Sequence, residues 1–168
     1  MEPISIEPWY DNSLVSGVIG VSLGVFLAYV IEWVRSQNRR KVLWSALATE
    51  VHLCKKTAEQ YCPDDAKAAP LYRMPLIAFK NGFGELVSSG AMDRHEFRDL
   101  SQFYSWVEDI NRGLDLATQA RYQGGQSGKL LLEEHSRLKA KTRSLIDDYF
   151  PAADAVVQRH CKAIPVTS

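Results

Sequence analysis

The sequence predicts an all-α protein, with an N-terminal transmembrane helix that continues into a small cytoplasmic antiparallel helical bundle. Three observations predict it. Residues 12–31 read NSLVSGVIGVSLGVFLAYVI, without a charged side chain. Beyond them, apolar residues recur at steps of three and four, the period of an amphipathic helix. No segment shows the two-residue alternation of a half-buried strand.

The apolar segment comes first. Its 20 residues, coiled as a helix at about 1.5 Å each, span roughly 30 Å, the thickness of a bilayer's hydrocarbon core. A cleaved signal peptide begins with basic residues and ends at a small-residue cleavage site. Here the start is MEPISIEPWYDN, with Glu2, Glu7 and Asp11 and no Lys or Arg, and the segment is followed by Glu32-Trp33-Val34-Arg35. A buried core helix is the other reading, since the glycines and serines lower the hydrophobicity. Trp9 and Tyr10 before the segment and Trp33 after it favour the membrane, because they stand where interfacial aromatic belts lie.

Charge sets the orientation. No basic side chain precedes the segment, whereas Arg35, Arg39, Arg40 and Lys41 follow it. The positive-inside rule then gives an extracytoplasmic N-terminus (1–12), a transmembrane helix (13–34), a juxtamembrane helix (35–62) and a cytoplasmic helical domain (63–168) in a bacterial inner membrane. The basic cluster is expected to face lipid, since each such residue gains about 1 kcal/mol from anionic headgroups. Within the segment Ser16, Gly20, Gly24 and Ala28 recur every four residues, and Gly20 to Gly24 is a GxxxG. Such a ridge lets helix backbones approach closely, so a homo-oligomer is expected. Glu32, at the inner end, reads as an interfacial carboxylate, hydrated or paired with Arg35 or Arg39.

Periodicity continues past the membrane through Leu43, Leu47, Val51, Cys54, Ala58 and Tyr61, with Glu50, Lys55, Lys56 and Glu59 read onto other faces. No Pro or Gly interrupts Ile31 to Cys62, so one long helix is predicted to about Tyr61, stopped by Pro63-Asp64-Asp65. A linker over 64–72 comes next. Pro75 opens a second helix over 76–88, faced by Leu76, Phe79, Phe83, Leu86 and Val87 and closed by Gly90. Gly82 and Gly84 weaken this helix and allow close contact with a neighbour. Asp93-Arg-His-Glu96 matches a capping box. It starts a third helix to about Ala120, with Phe97, Leu100, Tyr104, Val107, Ile110 and Leu114 as its stripe, thickened by Phe103 and Trp106. Asn111 on that stripe reads as a buried amide that fixes register. After the flexible turn 123–128, a fourth helix over 129–149 carries Leu131, Leu138, Leu145 and Ile146. Pro151 breaks or kinks it before a short terminal helix over 152–163.

The chain has 168 residues with 20 basic and 20 acidic side chains. That balance gives no general case for nucleic-acid binding. Cys54, Cys62 and Cys161 are an odd, irregularly spaced set, which suits a reducing compartment better than a disulfide framework. Catalytic templates fail on spacing. Gly124-Gly125 has no preceding strand and no GK[ST], and Gly128-Lys129 is followed by Leu. His52, His95, His135 and His160 form no CxxC- or HxxxH-type ligand set, so no metal and no cofactor is expected. Asp147-Asp148 and Glu133-Glu134 read as solvated surface acids. The HEPN ribonucleases also use small helical bundles, with an Arg several residues before a catalytic His. No histidine here has an Arg at that distance.

Leu76 to Gly90 (LIAFKNGFGELVSSG), then Phe103-Tyr104 and Asp109-Ile-Asn111, resembles a set of short uncharacterised bacterial single-pass membrane proteins with a helical cytoplasmic domain. The motifs are structural, and the resemblance implies no catalytic residues. In architecture alone the layout is also similar to the small membrane-pore accessory proteins of some CRISPR defence systems, which assemble as rings. The expectation is therefore a non-enzymatic, membrane-anchored protein that self-associates or scaffolds an unknown protein partner at the cytoplasmic face. An oligomeric pore effector in phage defence is one alternative. An enzyme with an unrecognised site is the other, and its mark would be a pocket where His135 or His160 meets a carboxylate.

Overall fold

The computed structural model describes residues 13–61, 72–122 and 127–162. The regular structure among them is entirely helical: α1 (Ser13–Glu59), α2 (Ile77–Ser88), α3 (Arg94–Tyr122), α4 (Ser127–Ser144), a π-turn (Leu145–Tyr149) and α5 (Phe150–Lys162). The chain divides into two compact units between Arg39 and Arg40.

The first unit is the N-terminal part of α1. It has no core. Val18, Ile19, Val21, Leu23, Val25, Phe26, Leu27, Tyr29, Ile31 and Trp33 are each at least half exposed. This stretch belongs to the one helix, among the described residues, that is long and apolar enough to cross a membrane.

The second unit begins at Arg40 and takes in the rest of α1. Trp44, Leu47, Val51, Cys54 and Ala58 are buried in its core beside Leu86, Leu100, Tyr104, Ile110, Leu145 and Val157. Residues 40–59 are therefore part of the bundle, not a separate juxtamembrane helix, because their apolar stripe needs a partner to leave water. Each fully buried aliphatic side chain of this kind contributes about 1.5–3 kcal/mol. The predicted stop at Pro63 lies outside the described residues; α1 itself ends at Glu59, with Gln60 and Tyr61 in a turn.

Two local signals position α2 and α3. Gly90 adopts φ +65°. The Ala91 N–H reaches the Leu86 carbonyl and the Gly90 N–H reaches that of Val87, the paired bonds of a Schellman motif that ends α2. At the start of α3 the Asp93 carboxylate accepts from the N–H groups of His95 and Glu96 (2.7 and 2.8 Å), and Glu96 Oε2 accepts from the Asp93 N–H at 3.0 Å. This is the capping box the sequence spells.

Around α3 the other helices assemble. Phe79 stacks on Tyr104 and Phe83 on Phe97. Asn111 clamps the extended segment before α2, its amide accepting from the Met74 N–H (2.9 Å) and donating to the Met74 carbonyl (3.0 Å). It thus fixes the register expected of it. α4 approaches α3 where Gly113 leaves room for Leu138. Leu138 and Leu145 are buried as expected, while the side chain of Leu131 lies outside the described residues.

Pro151 does not break the helix. The backbone stays helical from Ser127 to Lys162 by widening one turn: the Phe150 N–H bonds to the Leu145 carbonyl, five residues back. An α-turn would drive the Pro151 ring into the carbonyl four residues before it, and the wider π-turn relieves that clash.

The two glycines of α2 differ. A Cβ on Gly82 would lie 2.8 Å from Leu43 Cδ2, whereas one on Gly84 would meet nothing within 4 Å. Gly84→Ala is therefore expected to stabilise the bundle by about 0.5–1 kcal/mol through helix propensity. In Gly82→Ala the same gain is offset by displacement of Leu43. Thermal unfolding of the two variants side by side checks this; equal shifts would refute it.

Candidate functional site

Three places bear on function. The first is the exposed helix surface of the N-terminal unit. Gly20 and Gly24 have open space where a Cβ would stand, and Ala28 is exposed. No part of the described chain covers this side of the ridge. The side chain of Ser16 lies outside the described residues. The Ser22 hydroxyl donates to the Val18 carbonyl at 2.8 Å, so it is satisfied within the helix.

The basic cluster divides. Arg35 is exposed, 3.9 Å from Glu32, and Arg39 and Lys41 are exposed as well. Arg40 turns inward and donates to the Ser89 carbonyl at 2.9 Å, at the C-terminal end of α2. There a cation meets the negative end of the helix dipole and an orphan carbonyl together. Arg40 thus serves the bundle, although sequence alone groups it with the lipid-facing residues.

The second place is Glu50. Placed by sequence on an outer face, it is buried at 4% exposure. Its two carboxylate oxygens accept from the N–H groups of Ala78 (2.7 Å) and Phe79 (2.9 Å). α2 has no side-chain cap of its own at Leu76. Glu50 supplies one from another helix, at the positive end of the dipole. Burial, with the Glu50 charge beside it, pushes the Cys54 thiol well above its ordinary range, so it is an inert core group. Burial and the same charge raise the Tyr104 phenol. Its hydroxyl lies beside Glu50 without closing a hydrogen bond of good geometry. Burial pushes Tyr61 up to about 12. Glu50 has a sequence signal in its spacing, since it falls three residues after Leu47 and four before Cys54, on the buried stripe.

The third place joins α1, α3 and α5. Glu96, its side chain 6% exposed, accepts from Arg159 at 2.9 Å and meets His160 Nε2 at 3.0 Å. The His160 ring stacks on Trp44, with centroids 3.8 Å apart and planes 5° off parallel. So His160 does meet a carboxylate, as an enzyme reading requires. The ring is packed against Trp44, with a quarter of its side chain exposed. The arrangement ties three helices together. His52 lies 3.4 Å from Asp154 on the surface. Among the described residues no three His, Cys, Asp or Glu side chains converge on a metal position.

Comparison with known protein families, curated proteins and solved structures found no match for this chain.

Proposed function

We propose that this chain is a non-enzymatic, single-pass membrane protein whose bundle, residues 40–162, lies in the cytoplasm and self-associates through its anchor. The observation that carries the reading is the contrast between the two units. The bundle packs most of its large apolar side chains into a core, with scattered exceptions such as Val42, Tyr72 and Ile77, while residues 18–33 display theirs in every direction around one helix. Water does not tolerate such a surface, and lipid does. The internally satisfied Ser22 hydroxyl suits the same solvent. Arg35, Arg39 and Lys41 support a cytoplasmic bundle in a bacterial inner membrane. The open flank of Gly20, Gly24 and Ala28, with Ser16 one turn earlier, supports contact with a second copy.

Two measurements test this. The full chain is expected to remain in membranes after an alkaline carbonate wash, and recovery without detergent would sink the anchor. Gly20→Leu with Gly24→Leu should weaken the oligomer in mild detergent on the order of 1–2 kcal/mol, a five- to thirtyfold shift in its dissociation constant. A Cβ at either glycine meets nothing within 4 Å, so the unfolding of the bundle should not change. An unaltered oligomer would reject the ridge as the contact.

A further inference from the structure

We propose that one end of the bundle is itself a docking surface for the anionic leaflet, with Phe97 as its apolar contact and Arg94, Arg98 and Lys162 among its cations. The inference rests on the anchored reading above.

The geometry gathers these residues from three helices. Arg40 holds the C-terminus of α2, and Trp44 one turn later stacks on His160 near the end of α5. Arg159 in that same turn reaches Glu96 in the first turn of α3. The start of α1's buried part, the end of α2, the start of α3 and the end of α5 therefore share one end of the bundle. Its cationic side chains are Arg40, Lys41, Arg94, Arg98, Arg159 and Lys162, and all but Arg40 are exposed.

The carboxylates at this end are engaged. Glu96 is buried under Arg159 and His160, Asp93 is occupied by two backbone N–H groups, and Asp99 pairs with Arg98. Glu85 lies one turn back in α2. Among the described residues six cations thus meet four carboxylates at this end, Arg98 and Arg159 being paired with Asp99 and Glu96. Within this patch Phe97 is 43% exposed beside Arg94, His95 and Arg98, along a cleft of about 560 Å³ that Ser101 and Gln102 complete. An exposed ring flanked by two arginines has the composition of an interfacial contact, apolar at its centre and complementary to phosphate beside it.

The chain supplies the proximity. Arg40 is eight positions after Glu32, where the uncharged segment ends. A helical tether of that length measures roughly 12 Å, against a headgroup layer about 5–7 Å deep. Along the chain, the basic end is the part of the bundle joined most directly to the membrane segment. The leaflet is then present at high effective concentration, and a modest patch suffices.

The test uses the full chain in nanodiscs of phosphatidylcholine alone or mixed with phosphatidylglycerol, each doped with a gadolinium-chelating lipid. Broadening of the Arg94–Gln102 amide signals reads the docked fraction, and Arg73 and Asp115 at the far end of the bundle serve as the reference. Broadening that appears with the anionic lipid, falls about fivefold in docked-to-free ratio for each of Arg94→Gln and Arg98→Gln, and fades at high salt supports the proposal. Equal broadening in both discs, or none in either, overturns it while leaving the anchor intact. Shifts at Arg94–Gln102 on adding inorganic phosphate to the neutral discs, without broadening in the anionic ones, would overturn it in favour of a soluble anion. A chain that fails to enter either disc removes the anchor and the docking surface with it.

Discussion

Glu50→Ala is expected to destabilise the bundle by about 3–5 kcal/mol, the scale for removing one partner of a buried, charge-assisted network. The carboxylate sits in the core, where losing water costs several kcal/mol. Two short bonds from Ala78 and Phe79 and the positive end of α2 offset that cost. Truncation removes the acceptor and leaves both N–H groups buried and unpaired, at about 1–3 kcal/mol each. Glu50→Met fills the space but still strands the donors, so it should recover little. Glu50→Gln keeps one accepting oxygen and should fall between the parent and Glu50→Ala. Urea unfolding of the detergent-solubilised chain, followed by tryptophan fluorescence, measures all three. A midpoint for Glu50→Ala within error of the parent would show that α2 is held by packing alone.

The second large effect is expected at Glu96. Glu96→Ala takes an acceptor from the Asp93 N–H, from Arg159 and from His160 in one step. A lost cap and a lost half-buried ion pair together amount to about 2–4 kcal/mol. Glu96→Gln separates the parts, because a glutamine can still close the capping box while the charge that holds Arg159 is gone. Asp93→Ala should cost less than either, since it disturbs only the cap. The Asp93 carboxyl is held below its ordinary range chiefly by the Glu96 N–H, so its contribution is present above pH 3.8 and is lost as the pH falls through its lowered folded value. Amide exchange of residues 158–162 is the diagnostic readout. It should accelerate in Glu96→Ala and stay near the parent rate in Asp93→Ala; equal rates in the two would rule out Glu96 as the tie on α5.

Local chemistry is legible in the sequence where it is short-ranged. Asp93 and Glu96 spell their cap, Gly90 its helix end, and the stripe from Phe97 to Leu114 its buried face. Asn111 announces a buried amide by lying on that stripe. Long-ranged polar pairing is hidden from it. Glu50, read as a charge, belongs on a solvated face, and its actual partners are 28 and 29 positions away. Arg40 reads as one of four equivalent juxtamembrane cations, until the Ser89 carbonyl, 49 positions on, distinguishes it. Glu96 is legible as a cap, but its contacts with Arg159 and His160, 63 and 64 positions later, are not. Periodicity places a residue on a face. It does not say which helix end that face will meet.

The widened turn at Leu145–Tyr149 gives the C-terminal third of the bundle one place where a change of length is absorbed. One residue more than an α-helical ladder would use is stored there, whereas elsewhere each residue turns the remainder of the helix by about 100°. Ala153, Val156 and Val157 reach the core from their present azimuth. Deleting a single residue between Leu145 and Tyr149 would close the coil to an α-helical ladder and leave all three facing inward, with Pro151 again set against the carbonyl four residues before it. The same deletion between Phe150 and Ala153 would swing all three toward water and carry Arg159 and His160 away from Glu96, so it should act like several core substitutions at once.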